Sequence, residues 1–404
     1  MKKISLILLI LFVLFIPISF LIFHDKGNEY LKPYLATYLE SKLDQNMSVE
    51  VDHLKIDLDY VEFEAVLNDL TKVKAQGDVE LLSQTLDMDY TLKSDGFKTF
   101  DNKVDINGTV VGTFTDLQIQ GEGETLKSHI NYALNVKDDV INNIKVNIKN
   151  ADIASLLELA AQAAYAEGKV DVNINIPTLK EMDTKGKAKI VLHSTILNEK
   201  VFKKELKIDL PKKTIVTANI NSKVSADAFE LEGDIKSNLA SVKLSKTTYT
   251  IKSKELLTNY ALTVPKLSKL MFLTKQKLNG TLEVEGKFIA KKGAFNLQGN
   301  SKSLAGTTDF NFNGKKLNLD MQNVDIAKLL QVVGEKPYAT GKLVANVKLS
   351  DFKNLTGTFK VKTKEAKTLN HTLKKALSLD FERAISFSLN SEGNIAANVL
   401  SVQS

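Results

Sequence analysis

The sequence predicts a mainly β protein: an N-terminal transmembrane helix, then an elongated, curved, mostly antiparallel repeating sheet with a few short helices. Three observations carry this reading. Most segments after Ser48 alternate apolar and polar residues, a block of residues returns at a fixed offset, and an unbroken apolar stretch opens the 404-residue chain.

The apolar stretch runs from Ile4 to Phe23, with Lys2 and Lys3 before it and His24-Asp25-Lys26 after it. About 20 residues suffice to cross a bilayer as a helix. A cleaved signal peptide is the competing reading, but its apolar region is usually about 7–15 residues and ends at a small-x-small site. Here the exit is Phe20-Leu21-Ile22-Phe23, so the segment reads as an uncleaved anchor, which tolerates a kink at Pro17. Lysines ahead of the span place the N-terminus in the cytoplasm and the remaining mass across the membrane. Residues 1–26 are assigned to this anchor, 27–46 to an amphipathic helix and 47–404 to a repeating β domain.

The helix rests on Leu31, Leu35, Leu39 and Leu43, one every fourth residue from Asn28 to Asp44, with Tyr34 and Tyr38 flanking the stripe. It is expected to cap the first strands. Alternation then begins, as in Leu54, Ile56, Leu58; Val216, Ala218, Ile220; Leu317, Leu319, Met321; and Phe359, Val361. Period two means one face buried and one face wet. Tight hairpin turns are expected at Asn107-Gly108, Asn279-Gly280 and Asn313-Gly314.

The duplicated block starts at Asp152-Ile153-Ala154-Ser155-Leu156-Leu157 and continues through Tyr165 and Gly168. It returns as Asp325-Ile326-Ala327-Lys328-Leu329-Leu330, continuing through Tyr338 and Gly341, and every landmark moves by the same 173 positions. Duplication on this scale points to an extended repeat architecture rather than one closed active-site domain. Asp152 and Asp325 are N-cap candidates, because a short carboxylate accepts from the free amides of a first helical turn. Ile153, Leu156, Leu157 and Ala160 share one side of the first helix, and Ile326, Leu329, Leu330 and Val333 one side of the second. Gly168 and Gly341 then break the pattern and launch a strand. A weaker third copy has Leu267, Leu270 and Met271 ahead of Gly280. These internal repeats fall near 150–200, 264–300 and 323–365.

Counting from each glycine, the even positions are Val170, Val172, Ile174, Ile176; Leu282, Val284, Gly286, Phe288; and Leu343, Ala345, Val347, Leu349. The same face is apolar in all three copies. One reading is an ordinary sandwich core, in which two sheets bury these side chains against each other. The other is a long curved sheet whose apolar inner face is an open groove for acyl chains. Periodicity alone does not separate them; an anchor beside a lipid source and a low aromatic content, 7%, favour the groove.

Composition excludes several classes. The chain has no Cys, so it forms neither disulfides nor thiolate metal sites, although its expected compartment permits disulfides. Its net charge of +6 is nearly all lysine, with Arg383 the single arginine, interleaved with Asp and Glu. Nucleic-acid binding calls for clustered basic residues instead, so no nucleic-acid partner is expected. The five histidines (His24, His53, His129, His193, His371) are scattered, with no pair at metal-ligand spacing. No nucleophile elbow, phosphate loop or dinucleotide fingerprint is present. The chain is therefore expected to be no enzyme and to use no cofactor or metal.

Together, the anchor, the amphipathic helix, the strand-dominated body and the repeated Asp-Ile-x-x-Leu-Leu units, each followed by a Gly-led alternating strand, resemble the AsmA-like proteins of double-membraned bacteria. The stretches Phe381-Glu382-Arg383-Ala384-Ile385 and Ser391-Glu392-Gly393-Asn394-Ile395 are similar to that family's closing segment. The family's segment continues for another strand or two, so the end at Ser404 implies a truncated or minimal member. The resemblance implies a repeating β-groove related in shape to TamB-like and eukaryotic bridge-like lipid transfer proteins. It implies a single-pass inner-membrane protein with its bulk in the periplasm, membrane phospholipids as partners, outer-membrane or envelope proteins as further ones, and a role in outer-membrane biogenesis. The alternative is a structural or assembly factor of the envelope with a closed β core. Burial of Val172, Ile174, Val347 and Leu349 by the chain itself would favour that alternative.

Overall fold

The computed structural model describes residues 24–42, 48–80, 82–96, 103–138, 140–179, 183–396 and 399–403. The anchor expected at Ile4 to Phe23 lies outside them. No helix of the described residues is long and apolar enough to cross a membrane. The chain divides into two units, Met1–Ile190 and Val191–Ser404, and both are mainly antiparallel β.

The first unit opens with helix α1 (Asp25–Lys42), which starts three residues before the expected helix. Leu31, Leu35 and Leu39 pack with Ala36 on a buried cluster of Val49, Val51, Leu54 and Ala65, so the helix caps the first strands. Two polar contacts tie it to the backbone of the first strand: Glu40 accepts the Val49 amide at 2.9 Å, and Lys32 donates to the Asp52 carbonyl at 2.7 Å. Clothing the first strand in this way limits edge-to-edge pairing.

Strands β1 (Val49–Ile56), β2 (Tyr60–Leu67), β3 (Thr71–Glu80), β4 (Thr85–Ser94), β5 (Val104–Thr113), β6 (Asp116–Thr125), β7 (Ser128–Lys137) and β8 (Val140–Asp152) follow as a meander. Each pairs antiparallel with the next. Helix α2 (Ile153–Leu159) and the short β9 (Ala166–Glu167) lead into β10 (Lys169–Thr178), which pairs with β8. Two expectations change here. Leu58 is not a strand residue but an exposed one in the β1–β2 turn, because β1 ends at Ile56. Asn107-Gly108 is no turn: it lies inside β5, where Gly108 stands opposite Tyr90 and Gly121.

The unit boundary falls inside β11 (Lys185–Leu197). A short helix α3 (Glu199–Val201) and a π-helical turn (Phe202–Leu206) precede β12 (Ile215–Ser225), β13 (Ala228–Ser237), β14 (Ser241–Thr250) and β15 (Glu255–Val264). A 3-10 turn (Leu267–Leu270) and helix α4 (Met271–Thr274) then lead to β16 (Leu282–Lys291), β17 (Ala294–Ser301), β18 (Thr307–Phe312) and β19 (Leu317–Asp325). Helix α5 (Ile326–Val332), β20 (Ala339–Asp351), β21 (Thr356–Thr368), helix α6 (Asn370–Leu377), β22 (Ser386–Phe387), β23 (Asn390–Ala396) and β24 (Val399–Gln403) complete the unit. From β12 to β21 each strand pairs antiparallel with its successor, and β23 and β24 extend the sheet beyond β21.

Asn313-Gly314 makes the expected tight hairpin, with the Asn313 side chain accepting the amides of Lys315 and Lys316 at 3.1 and 2.7 Å. Asn279-Gly280 instead belongs to the long connection between β15 and β16, which holds the third copy's short helices. Gly341 lies within β20, which starts two residues earlier at Ala339.

The duplication extends to individual hydrogen bonds. Asp152 and Asp325 cap α2 and α5 with φ/ψ of −74/120° and −74/119°, each accepting an amide at 3.0 Å, from Ser155 and Lys328. At the helix ends, Gln162 donates to the Leu157 carbonyl and Glu335 to that of Leu330, at 2.8 and 2.9 Å. A β-bulge precedes both helices, at Asn150 in β8 and Asn323 in β19, with left-handed φ of 57° and 53°. All these pairs keep the offset of 173 read from the sequence. They differ at the residue that ends the helix, Ala161 (φ 52°) against Gly334 (φ 88°). A left-handed residue with a Cβ is strained by about 1–2 kcal/mol, and glycine's extra freedom in the unfolded chain offsets about half of that. Ala161→Gly should therefore stabilise the first unit by roughly 0.5–1 kcal/mol, read as a higher melting temperature, and Gly334→Ala should lower that of the second.

Candidate functional site

In an antiparallel sheet, directly opposed residues point to the same face, so the registers trace that face strand by strand. In the first unit one row runs Leu54, Phe63, Ala75, Tyr90, Gly108, Gly121, Tyr132, Val146, Ile174, crossing nine strands without a charged residue. A parallel row runs Val51, Ala65, Val73, Leu92, Ile106, Gly123, Ile130, Ile148, Val172. In the second unit a row crosses twelve strands: Ile220, Gly233, Leu244, Tyr260, Gly286, Gly299, Phe310, Leu319, Val347, Phe359, Gly393, Val402. Each unit thus carries one continuous apolar face.

The eleven residues singled out in the sequence all lie on these faces. Val170, Val172, Ile174 and Ile176 oppose Ala151, Ile148, Val146 and Ile144 in the first unit. Leu282 and Val284 oppose Val264 and Leu262, while Phe288 lies between Thr258 and Leu297. Leu343, Ala345, Val347 and Leu349 lie between Val324, Met321, Leu319, Leu317 on one side and Thr363, Val361, Phe359, Gly357 on the other. Val170, Val284, Ala345 and Leu349 are buried, and the other seven are half-buried.

Half-burial is informative. In a sandwich the inward positions would be covered by the opposite sheet, which packs about 10 Å away. Here β6 and β13 alternate between half-buried and exposed residues and bury none fully. Sheet neighbours alone supply that degree of cover.

The opposite face is polar. Lys74 reaches Glu62 and Glu64 at 3.0 and 2.9 Å, His129 lies 3.4 Å from Glu124, and Lys360 pairs with Glu392 at 2.6 Å. Such exposed pairs add little stability; their effect is to keep this face wet.

Aromatic residues on the apolar face carry a feature that periodicity did not signal. Tyr90 and Tyr132 lie over the glycine pair Gly108 and Gly121: a Cβ on Gly121 would come within 2.7 Å of the Tyr90 hydroxyl and 2.8 Å of the Tyr132 ring. The two hydroxyls are hydrogen-bonded to each other, and Tyr90 reaches the Gln120 carbonyl at 3.3 Å. The second unit repeats the arrangement with Tyr260, Gly286, Gly299 and Phe310, and Tyr260 donates to the Gln298 carbonyl at 3.0 Å. Burial, then the Tyr132 hydrogen bond, push the Tyr90 phenol above its ordinary range, and burial does the same for Tyr260. Both hydroxyls stay protonated and satisfied on an otherwise apolar surface. Ring-over-glycine packing flattens the face where two neighbouring strands lack side chains. The signal available in the sequence was glycine at strand positions in phase with the apolar residues.

Asp152 titrates as a structural group. Burial pushes its carboxyl up, but the Ser155 hydroxyl at 2.8 Å, the Ser155 amide and Lys127 outweigh burial and hold it below the usual value. A depressed carboxyl contributes stability that is present above its unfolded value of about 3.9 and is lost as pH falls through the lower folded value. Asp152→Ala should cost about 1 kcal/mol at neutral pH, and the gap to wild type should begin to narrow in melts taken below about pH 4. Among the described residues no three His, Asp or Glu gather as a metal site.

The fold and its faces define a class: repeating antiparallel β sheets, each with one continuous, largely uncovered apolar face. Comparison with family models, curated proteins and solved structures finds no match to this chain.

Proposed function

We propose that the apolar faces bind acyl chains and that the chain holds or conducts phospholipid, anchored in the inner membrane by its N-terminal segment with its bulk in the periplasm. The observation that carries this is the unbroken apolar rows across nine and twelve strands, half-buried over most of their length outside the part of β1 and β2 that α1 covers. The resemblance to AsmA-like proteins supports the same reading and adds outer-membrane biogenesis as the setting.

The expected strength suits a conduit. Covering about 15 methylenes on one side only, at about half of 0.8 kcal/mol each, yields roughly 6 kcal/mol, an affinity between micromolar and millimolar. A chain held so loosely can move along the face. The buried Val170, Val284, Ala345 and Leu349 favour, at their own positions, the alternative of a closed assembly factor. The half-buried majority favours the open face.

The test is native mass spectrometry with lipid extraction on residues 27–404 purified from cell envelopes without detergent. Co-purified phospholipid is the expected result. A lipid-free mass, with the apolar face protected from solvent, would favour the assembly factor.

A further inference from the structure

A second surface stands at one end of the second unit's sheet, where the apolar face runs out among the turns. In a meander every other turn falls at the same end, so the turns after β14, β16, β18 and β20 come together there. These turns and their immediate flanks carry Lys252, Lys254, Lys291, Lys292, Lys315, Lys316 and Lys353, against only Glu255 and Asp351. Glu255 is taken up by Lys291 at 2.7 Å, and Asp351 accepts the Asn354 amide at 2.9 Å. The other six lysines are exposed. A fifth turn at this end, Ala226-Asp227, adds one acid at the outer strand.

Large apolar residues stand among these lysines: Ile251, Phe352 and Leu355 are 42%, 44% and 40% exposed. Phe352 also ends an edge-to-face ladder with Phe312 and Phe295, with centroid spacings of 5.0 and 5.7 Å. The first unit shows that this composition is not generic to the fold. Its turns after β1, β3, β5 and β7 also expose Leu58, Leu82 and Phe114, but with the same flanks their charged residues are Asp57, Asp59, Glu80, Asp116, Asp138 and Asp139 against the single Lys137.

The geometry points to this rim as a docking surface for an anionic lipid bilayer, the lysines meeting headgroups and Phe352, Leu355 and Ile251 entering the interface. Charge complementarity identifies the partner. Each lysine near an anionic membrane surface gains about fivefold in partitioning, and aromatic and aliphatic tips beside lysines match the amphipathic character of the headgroup region. A purely polyanionic partner such as nucleic acid would use the lysines and leave the apolar tips without a role. The assignment does not depend on acyl chains occupying the apolar face.

Because the chain has no cysteine, a single Phe352→Cys, or Ile251→Cys in a second protein, can carry an environment-sensitive nitrobenzoxadiazole dye. The labelled full chain is held in phosphatidylcholine nanodiscs and mixed at low salt with vesicles of phosphatidylcholine alone or with about one-third phosphatidylglycerol. The rim predicts a blue shift only with the anionic vesicles, reversed by high salt, and about 25-fold more lipid needed after Lys315→Gln with Lys316→Gln. No shift at either position, or an equal shift with neutral vesicles, overturns the assignment. So does a shift of dye at Met271→Cys or Phe114→Cys with none at the rim. Binding of a single-stranded oligonucleotide without vesicle binding would make the surface a polyanion site instead.

Discussion

Val347→Asp is expected to strip bound phospholipid from the chain while leaving the sheet folded. Val347 is half-buried between Leu319 and Phe359, ninth in the twelve-strand row. A carboxylate there reaches water, so the cost to folding is the lost half-burial of one valine and a local desolvation, about 1–2 kcal/mol. A lipid lying along the row must instead pass over a charge, and lipid occupancy by native mass spectrometry should fall at least tenfold, about 1.4 kcal/mol. The two readouts separate the functional readings. In a packed core an uncompensated charge costs several kcal/mol, so wholesale unfolding of the variant would speak for the closed assembly factor.

The second large effect is expected at Gly121, where valine should destabilise the first unit by about 3 kcal/mol. Its Cβ would collide with the Tyr90 hydroxyl and the Tyr132 ring. Moving them breaks the Tyr90–Tyr132 hydrogen bond, worth about 1 kcal/mol, and overpacking adds about 1–3 kcal/mol, of which a better β-former returns a fraction. Tyr90→Phe removes the hydroxyl alone and should cost only about 1 kcal/mol. Hydrogen exchange offers the check: amides of β5 and β6 should lose protection in Gly121→Val while β1 and β2, under α1, keep theirs. Uniform loss across the unit, or none, would mean that the rings do not clamp the glycine pair.

How much of this was legible in the sequence depends on the distance over which each feature is encoded. Alternation in Leu317, Leu319 and Met321 and the caps at Asp152 and Asp325 are local, and the structure places them as read. The offset of 173 carried further than the segments that revealed it, to a bulged, left-handed asparagine in each copy. Asn107-Gly108 was misread as a turn because the pair is a strong local signal, and only register shows Gly108 opposite Tyr90, 18 residues earlier. Leu58 continued an alternating pattern but falls beyond Ile56, between two aspartates at a tip. The lysines of the rim look interleaved along the chain. Pairing of β14 to β21 is what gathers Lys252 and Lys353, about a hundred residues apart, at one end of the sheet. Burial of the apolar faces was not legible at all, since period two is the same for a sandwich core and for an open face.

Neighbouring residues on β10 allow the most direct test of whether that face meets lipid. Ile174 is half-buried in the first unit's apolar row, and Asn173 is exposed on the opposite face, paired with Asn147. A photoreactive benzoylphenylalanine placed at each position in turn, in the full chain within native cell envelopes, should yield phospholipid adducts from position 174 and none from position 173 after irradiation. Adducts to protein alone from position 174, or equal lipid labelling from both positions, would contradict an acyl-binding face.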